Sequence, residues 1–229
     1  MPSIRDNLES VRQRLARAAL AAGRDPGEIT LVAVTKTFPP ETILEGIEAG
    51  IEIIGENRVQ EASRKFDVIG PRVQWHLVGH LQSNKAKKAV EIFSLIHSID
   101  SLETAREVGR RAMEAGKVQD ILAEVNTSGE PQKYGVPPPQ ALDFIQALSQ
   151  VPGIRLMGLM TVGPLTEDSQ AVRQAFRQLF RLFQEAKSLA LKNAEMRYLS
   201  MGMSGDFELA IAEGSNLVRI GSAIFGSRA

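Results

Sequence analysis

Eight short runs of Val, Ile, Leu and Met recur along this chain, at 29–36, 51–55, 73–79, 95–99, 120–125, 154–162, 197–202 and 217–226. Each is too short for a typical helix and rich in residues that suit a pleated, buried backbone. The stretches between them, about 40–49, 56–68, 84–92, 101–116, 137–150, 168–193 and 205–213, read as helices, with Ser101 and Asp168 at two of the starts. Gly50, Gly70, Gly116 and Gly153 mark returns from helix to strand. Such alternation predicts an α/β fold, a (β/α)8 TIM-type barrel, and an open doubly wound sheet is its rival. An extra N-terminal helix precedes it. Ser3 and Asp6 have capping spacing, Ile4, Leu8, Val11, Leu15 and Ala18 form one stripe, and Gly23 closes it.

No Pro/Gly/Ser linker or long charge run divides the 229 residues, so a single domain over 1–229 is expected. Formal net charge is zero, which gives no global attraction to nucleic acid or anionic membrane. No run reaches the roughly 18 apolar residues that a membrane span needs. The stretch Met1 to Glu9 lacks an apolar signal core. With no cysteine there is no thiolate nucleophile or thiolate metal ligand. A soluble, cytoplasmic protein is expected.

Function in such a barrel gathers at the C-terminal ends of the strands. Lys36 closes the first run, just before Pro39 and Pro40. Burial there favours its neutral amine, the form that attacks carbonyls. After the seventh run, Ser200-Met201-Gly202-Met203-Ser204-Gly205-Asp206 opens a helix and offers backbone N–H groups to an anion. Gly202 and Gly205 permit close approach, Ser204 adds a hydroxyl, and Gly221-Ser222, interrupting the eighth run, supplies an opposite wall. A carbonyl-attacking lysine beside a phosphate cup points to pyridoxal phosphate. Arg219 stands inside an apolar run and needs a partner, either Glu56 or Glu124 or the cofactor, with the ring nitrogen favoured over the phosphate. Asn57 either faces the pocket or caps the following helix, and Glu56 could pair with a base.

His76 and His80 do not converge on a metal from a strand and a turn, and no third histidine is expected near them, so no metal site is expected. The run Lys85-Ala86-Lys87-Lys88 reads as a solvated helix face, with docking of a phosphorylated ligand as the lesser reading. The loop from Asn126 to Gly135 reads as a lid hinged at Gly129 and Gly135. Met157, Met160, Met201 and Met203 read as core filler, with packing of one against a flat ring as the lesser reading.

Together, Val34-Thr35-Lys36, Gly55-Glu56-Asn57, Trp75-His76, Leu81-Gln82-Ser83-Asn84-Lys85, Ser200-Met201-Gly202-Met203-Ser204 and Val218-Arg219-Ile220-Gly221 resemble the YggS/PROSC-type pyridoxal-phosphate homeostasis proteins, themselves similar to the barrel domain of alanine racemase. The resemblance covers essentially the whole chain; His80 departs from it. It implies pyridoxal 5′-phosphate as cofactor, held as an internal aldimine on Lys36. It also implies a binding set of Lys36, Asn57, Met203, Ser204, Gly205, Arg219, Gly221 and Ser222, with no catalytic residue. It implies a role in vitamin B6 and amino-acid homeostasis without turnover, a monomer or weak dimer with the monomer favoured, and apo-enzymes that use this cofactor as partners.

The alternative is a slow racemase-type enzyme that uses Lys36 as one base. Its second base is typically a tyrosine from a separate C-terminal domain. This sequence runs only to Ala229, with Tyr134 near the barrel mouth and Tyr198 expected in the core. A Schiff-base aldolase acting on a phosphorylated sugar is a third and weaker reading, because no acid/base pair accompanies the lysine.

Overall fold

The computed structural model describes residues 3–226; Met1, Pro2 and Ala229, which entered the reading of the termini, lie outside them. The chain runs α1 (Ile4–Ala21), β1 (Thr30–Val34), α2 (Pro40–Glu48), β2 (Ile53–Glu56), α3 (Val59–Ile69), β3 (Gln74–Leu77), α4 (Ala86–Ile92) and β4 (Leu95–Ile99). It continues through α5 (Leu102–Glu114), β5 (Gln119–Glu124), α6 (Ala141–Leu148), β6 (Ile154–Met160), α7 (Ser169–Ser188), β7 (Ala194–Ser200), α8 (Phe207–Ala212), β8 (Leu217–Ile220) and α9 (Ser222–Phe225). All strands pair in parallel, and β8 returns to β1 to close an eight-stranded barrel. The open-sheet rival is thereby set aside.

The expected capping box is present: Ser3 Oγ accepts the Asp6 N–H and Asp6 accepts the Ser3 N–H. The stripe of α1 buries Leu8, Val11, Leu15 and Ala19, so Ala19 rather than Ala18 takes the last buried place. Gly50, Gly70, Gly116 and Gly153 all hold positive φ, as helix-to-strand returns demand.

Two differences concern the site. β1 ends at Val34, which leaves Lys36 in the turn beyond it. β8 ends at Ile220, and residues 222–225 form a helical turn. Gly221-Ser222 therefore ends the last strand and does not interrupt it.

The strands separate two layers of packing. Outward residues such as Ala33, Ile54, Leu77, Ile96 and Ile220 meet the helices. Inside the barrel, Val32, Leu95, Leu122, Met157, Met160 and Leu217 form a smaller apolar plug. Two residues further along the strands the interior turns polar: Leu95 gives way to His97, Leu122 to Glu124, Tyr198 to Ser200 and Leu217 to Arg219. The apolar plug forms the floor of the mouth, and the polar ring above it is where chemistry can be placed.

Candidate functional site at the barrel mouth

Strand register brings the expected residues to one rim. Val34 pairs with Gly55, so Lys36 and Asn57 each lie two residues past the pair. Ala33 pairs with Ile220, which puts Gly221 against the end of β1; a Cβ there would meet the Val34 carbonyl oxygen at 3.1 Å. Lys36 is half-buried and continues the inward parity of Val32 and Val34.

Ser204 joins the rim from the β7–α8 turn. Its Oγ accepts the N–H of Gly221 at 3.2 Å and of Ala223 at 3.4 Å. Both bonds are long, so these donors are weakly engaged. A Cβ on Gly205 would meet nothing within 4 Å, so space opens over that backbone. Gly202 differs. Its φ is +96° and a Cβ would press on Ala210 and Phe207, so this glycine serves packing against α8. Asp206 stands at the N-cap position of α8 without a side-chain bond to the helix, and its Oδ1 accepts the preceding Met203 N–H at 2.5 Å. A carboxylate there opposes an anion. Met203 is exposed beside it, and Ser222 is exposed at the first position of α9.

Asn57 is half-buried at the rim and does not cap α3; Arg58 holds that position, without a side-chain cap bond. Asn57 lines a cleft of about 810 Å³ with Arg58, Gly79, His80, Lys85 and Tyr134. Over that cleft the His80 and Tyr134 rings stack with centroids 3.9 Å apart. The loop carrying Tyr134 is braced: Lys133 Nζ donates to Glu130 at 2.6 Å and to the Gly163 carbonyl at 2.7 Å. Lys88 pairs with Glu91 on the surface, whereas Lys85 is half-buried at the cleft.

Arg219 is 4% exposed and makes neither expected ion pair. Its Nη1 donates to Ser200 Oγ at 2.5 Å and its Nη2 to the Thr161 carbonyl at 2.7 Å. Glu56 lies behind the barrel wall with Lys65, at 2.7 Å. Burial lowers the Arg219 pKa to about 10, opposed by the charges of Glu124 and Asp206, so the guanidinium stays charged at neutral pH.

The chain of bonds continues across the barrel. His97 Nδ1 lies 3.1 Å from Ser200 Oγ, and His97 Nε2 lies 3.1 Å from His76 Nδ1. The expectation that no third histidine lies near His76 is therefore wrong. Burial lowers the His76 pKa to about 3 and drives His97 well below the usual range, with the charges of His76 and Arg219 adding to the effect on His97. With both rings neutral, one direction of donation accounts for all three contacts: Arg219 to Ser200, Ser200 to His97, His97 to His76. Among the described residues no cluster of metal-ligating side chains occurs. Sequence reading missed His97, although a histidine inside the otherwise apolar run Leu95-Ile96-His97-Ser98-Ile99 is a visible signal.

Glu124 faces this chain from β5. Its pKa rises to about 7, through burial first and then the charge of Asp100, with Arg219 opposing. Among the described residues its Oε2 has no hydrogen-bond partner. A carboxyl held up in the folded state favours folding while protonated. The advantage is full below about pH 4.5 and lost as pH rises through about 7, roughly 3 kcal/mol in all. Urea midpoints taken at about pH 5 and about pH 8 should therefore fall more steeply for the wild type than for Glu124→Gln.

An amine at a strand end, converging hydroxyl and backbone N–H donors, and open space over Gly205 form a donor set that fits a phosphorylated aldehyde. The chain matches the family model described as alanine racemase, N-terminal domain, over residues 2–229. A pyridoxal phosphate homeostasis protein of Aquifex aeolicus is 40% identical over 224 residues, covering 97% of each chain. A crystal structure of a protein from Bifidobacterium adolescentis superposes with TM-score 0.93 at 38% identity, covering 96% of this chain and 94% of that one. PipY of Synechococcus elongatus, solved with pyridoxal phosphate bound, superposes with TM-score 0.82 at 35% identity, covering 98% of this chain and all of the other (100%).

Proposed function

This chain belongs to the alanine racemase N-terminal domain family, and from that premise we propose that it binds pyridoxal 5′-phosphate at the barrel mouth and serves intracellular vitamin B6 and linked amino-acid homeostasis. One observation carries the reading: Lys36 and the weakly engaged donors of Gly221 and Ala223 share one rim.

Bound pyridoxal phosphate supplies an aldehyde for amines and an electron-withdrawing ring. Lys36 offers the amine for covalent attachment. Ser204 Oγ, the N–H groups of Gly221 and Ala223, and the open backbone at Gly205 would hold the phosphate, with Ser222 beside them. Arg219, held by Ser200 and Thr161, would offer its charge to the ring nitrogen. A permanent cation there would disfavour a protonated nitrogen and so weaken the ring as an electron sink. Asn57 and Met203 would complete the set from β2 and the β7–α8 turn.

The reading continues to a cytoplasmic monomer that holds and delivers cofactor without turnover; among the described residues no helix is long and apolar enough to cross a membrane. Tyr134 is 57% exposed, stacks on His80 and lines the cleft that Asn57 also lines. Tyr198 is half-buried against the apolar plug. Tyr198, packed there, is not set as a second base. Delivery to an apo-enzyme faster than simple release supports a carrier, and equal rates reduce the role to a buffer.

Glu124 favours a second reading, a slow amino-acid racemase-type activity, because a carboxyl titrating at about 7 suits proton transfer near neutral pH. That reading requires exchange of the Cα proton of alanine or serine in deuterated water, abolished by Lys36→Ala; a panel of amino acids without exchange removes it.

A further inference from the structure

Behind the barrel wall, between β2 and α3, sits an ion cluster that the binding reading does not use. Lys65 occupies the inward stripe of α3, where Val59, Ala62 and Ile69 are its buried neighbours. An apolar residue would fill that place at no electrostatic cost, whereas a buried ion pair typically stabilises little against one. Lys65 is 5% exposed and its Nζ makes three bonds: to the Thr35 carbonyl at 2.8 Å, to Glu56 Oε1 at 2.7 Å and to Glu61 Oε1 at 2.7 Å. All three ammonium protons are committed.

The same two carboxylates hold the residues on either side of Lys36. Glu56 Oε1 accepts the Thr35 hydroxyl at 2.6 Å, and Glu61 Oε1 accepts the Thr37 N–H at 2.6 Å. Thr37 is β-branched and sits at φ +71°, a conformation such a residue rarely adopts unless its surroundings enforce it. The strained turn begins at the residue after the amine-bearing one.

We infer that Lys65, Glu56 and Glu61 are positioning residues that clamp Thr35 and Thr37 and so fix the backbone from which Lys36 reaches the mouth. The inference rests on the proposed covalent attachment for its functional meaning, but the clamp itself is testable without cofactor. The clamp thus fastens the outward neighbours Thr35 and Thr37, on the side of the backbone opposite the inward residue between them.

The informative pair is Glu61→Ala and Glu61→Gln. Glu61 is half-buried, so neither change opens the core, and glutamine keeps an acceptor oxygen for the Thr37 N–H and Lys65. In cofactor-free protein, amide exchange at Thr37 should quicken by about tenfold or more in Glu61→Ala, as loss of a charged hydrogen bond implies, and by much less in Glu61→Gln. Competitive acetylation with acetic anhydride should show altered Lys36 reactivity in the alanine variant and not at surface Lys88. With pyridoxal phosphate, attachment to Lys36 should slow about tenfold in Glu61→Ala and recover in Glu61→Gln, while binding of pyridoxine phosphate, which has no aldehyde, stays within twofold.

Unchanged Thr37 exchange and Lys36 acetylation in Glu61→Ala would overturn the clamp. So would equal slowing of attachment and of pyridoxine phosphate binding, because that signals general damage. If wild-type Lys36 takes no cofactor, the proposed function fails, and the exchange and acetylation arms still decide the clamp.

Discussion

Lys36→Ala protein loaded with pyridoxal phosphate and reduced with borohydride is expected to carry no covalent adduct, whereas the wild type carries one that maps to Lys36. The loss should be complete, because no other amine shares its placement at the end of β1 beside Gly221. Folding should survive. Lys36 is half-buried in a turn, outside the strand ladder, and substitution there should change stability by no more than about 1 kcal/mol. The donors of Ser204, Gly221 and Ala223 and the charge of Arg219 remain, so weak, reversible binding of the cofactor should persist and be competed by inorganic phosphate. Absorption spectra before and after reduction, followed by peptide mapping, separate these contributions. Labelling of Lys36→Ala at wild-type yield on another lysine would remove Lys36 from the site. Colourless wild-type protein under excess cofactor would remove the cofactor assignment and leave the barrel.

The barrel was legible because its determinants are local and repeated. Eight apolar runs, their lengths and the glycines between them follow from strand and helix periodicity alone, and register then carries Lys36, Asn57 and Gly221 to one rim. Strand ends were less legible. The run at 217–226 carries aliphatic and aromatic residues on both sides of Gly221-Ser222, but Ala223, Ile224 and Phe225 belong to a helical turn, with Ile224 packed into the outer layer. Composition does not distinguish a strand's end from a following helical turn when both bury aliphatic groups.

The polar interior was the least legible part, because its bonds join residues distant in sequence. His97 reaches Ser200 across 103 positions and Arg219 reaches Thr161 across 58. What the sequence does show is the anomaly: Lys65 on the apolar stripe of α3, His97 and Arg219 in apolar runs. Each marks a buried polar group that must have found a partner. Identifying that partner takes the three-dimensional structure.

The second large effect is expected at Gly158, in the middle of β6. Register on both sides of β6 slips there: Ile121 and Ala123 face Leu156 and Leu159, and Leu156 and Gly158 face Ala194 and Tyr198. This bulge explains how Met157 and Met160, three residues apart, both enter the barrel interior. Gly158 has φ +145°, and a Cβ would collide with the Tyr198 carbonyl oxygen. Gly158→Ala must then either strain the backbone or part β6 from β7. Strain and overpacking together predict a loss of about 3–5 kcal/mol, read as a lowered urea midpoint. The damage should also reach the site. Just beyond the bulge, Met160 pairs with Ser200, and Thr161 and Ser200 are the two residues that hold Arg219. Pyridoxal phosphate should therefore bind Gly158→Ala more weakly even at temperatures where it remains folded, a coupling that a remote cavity such as Leu15→Ala in α1 should not produce. Equal stability in Gly158→Ala and wild type would mean that the bulge is not fixed by this glycine, and the link between the β6–β7 seam and Arg219 would fall with it.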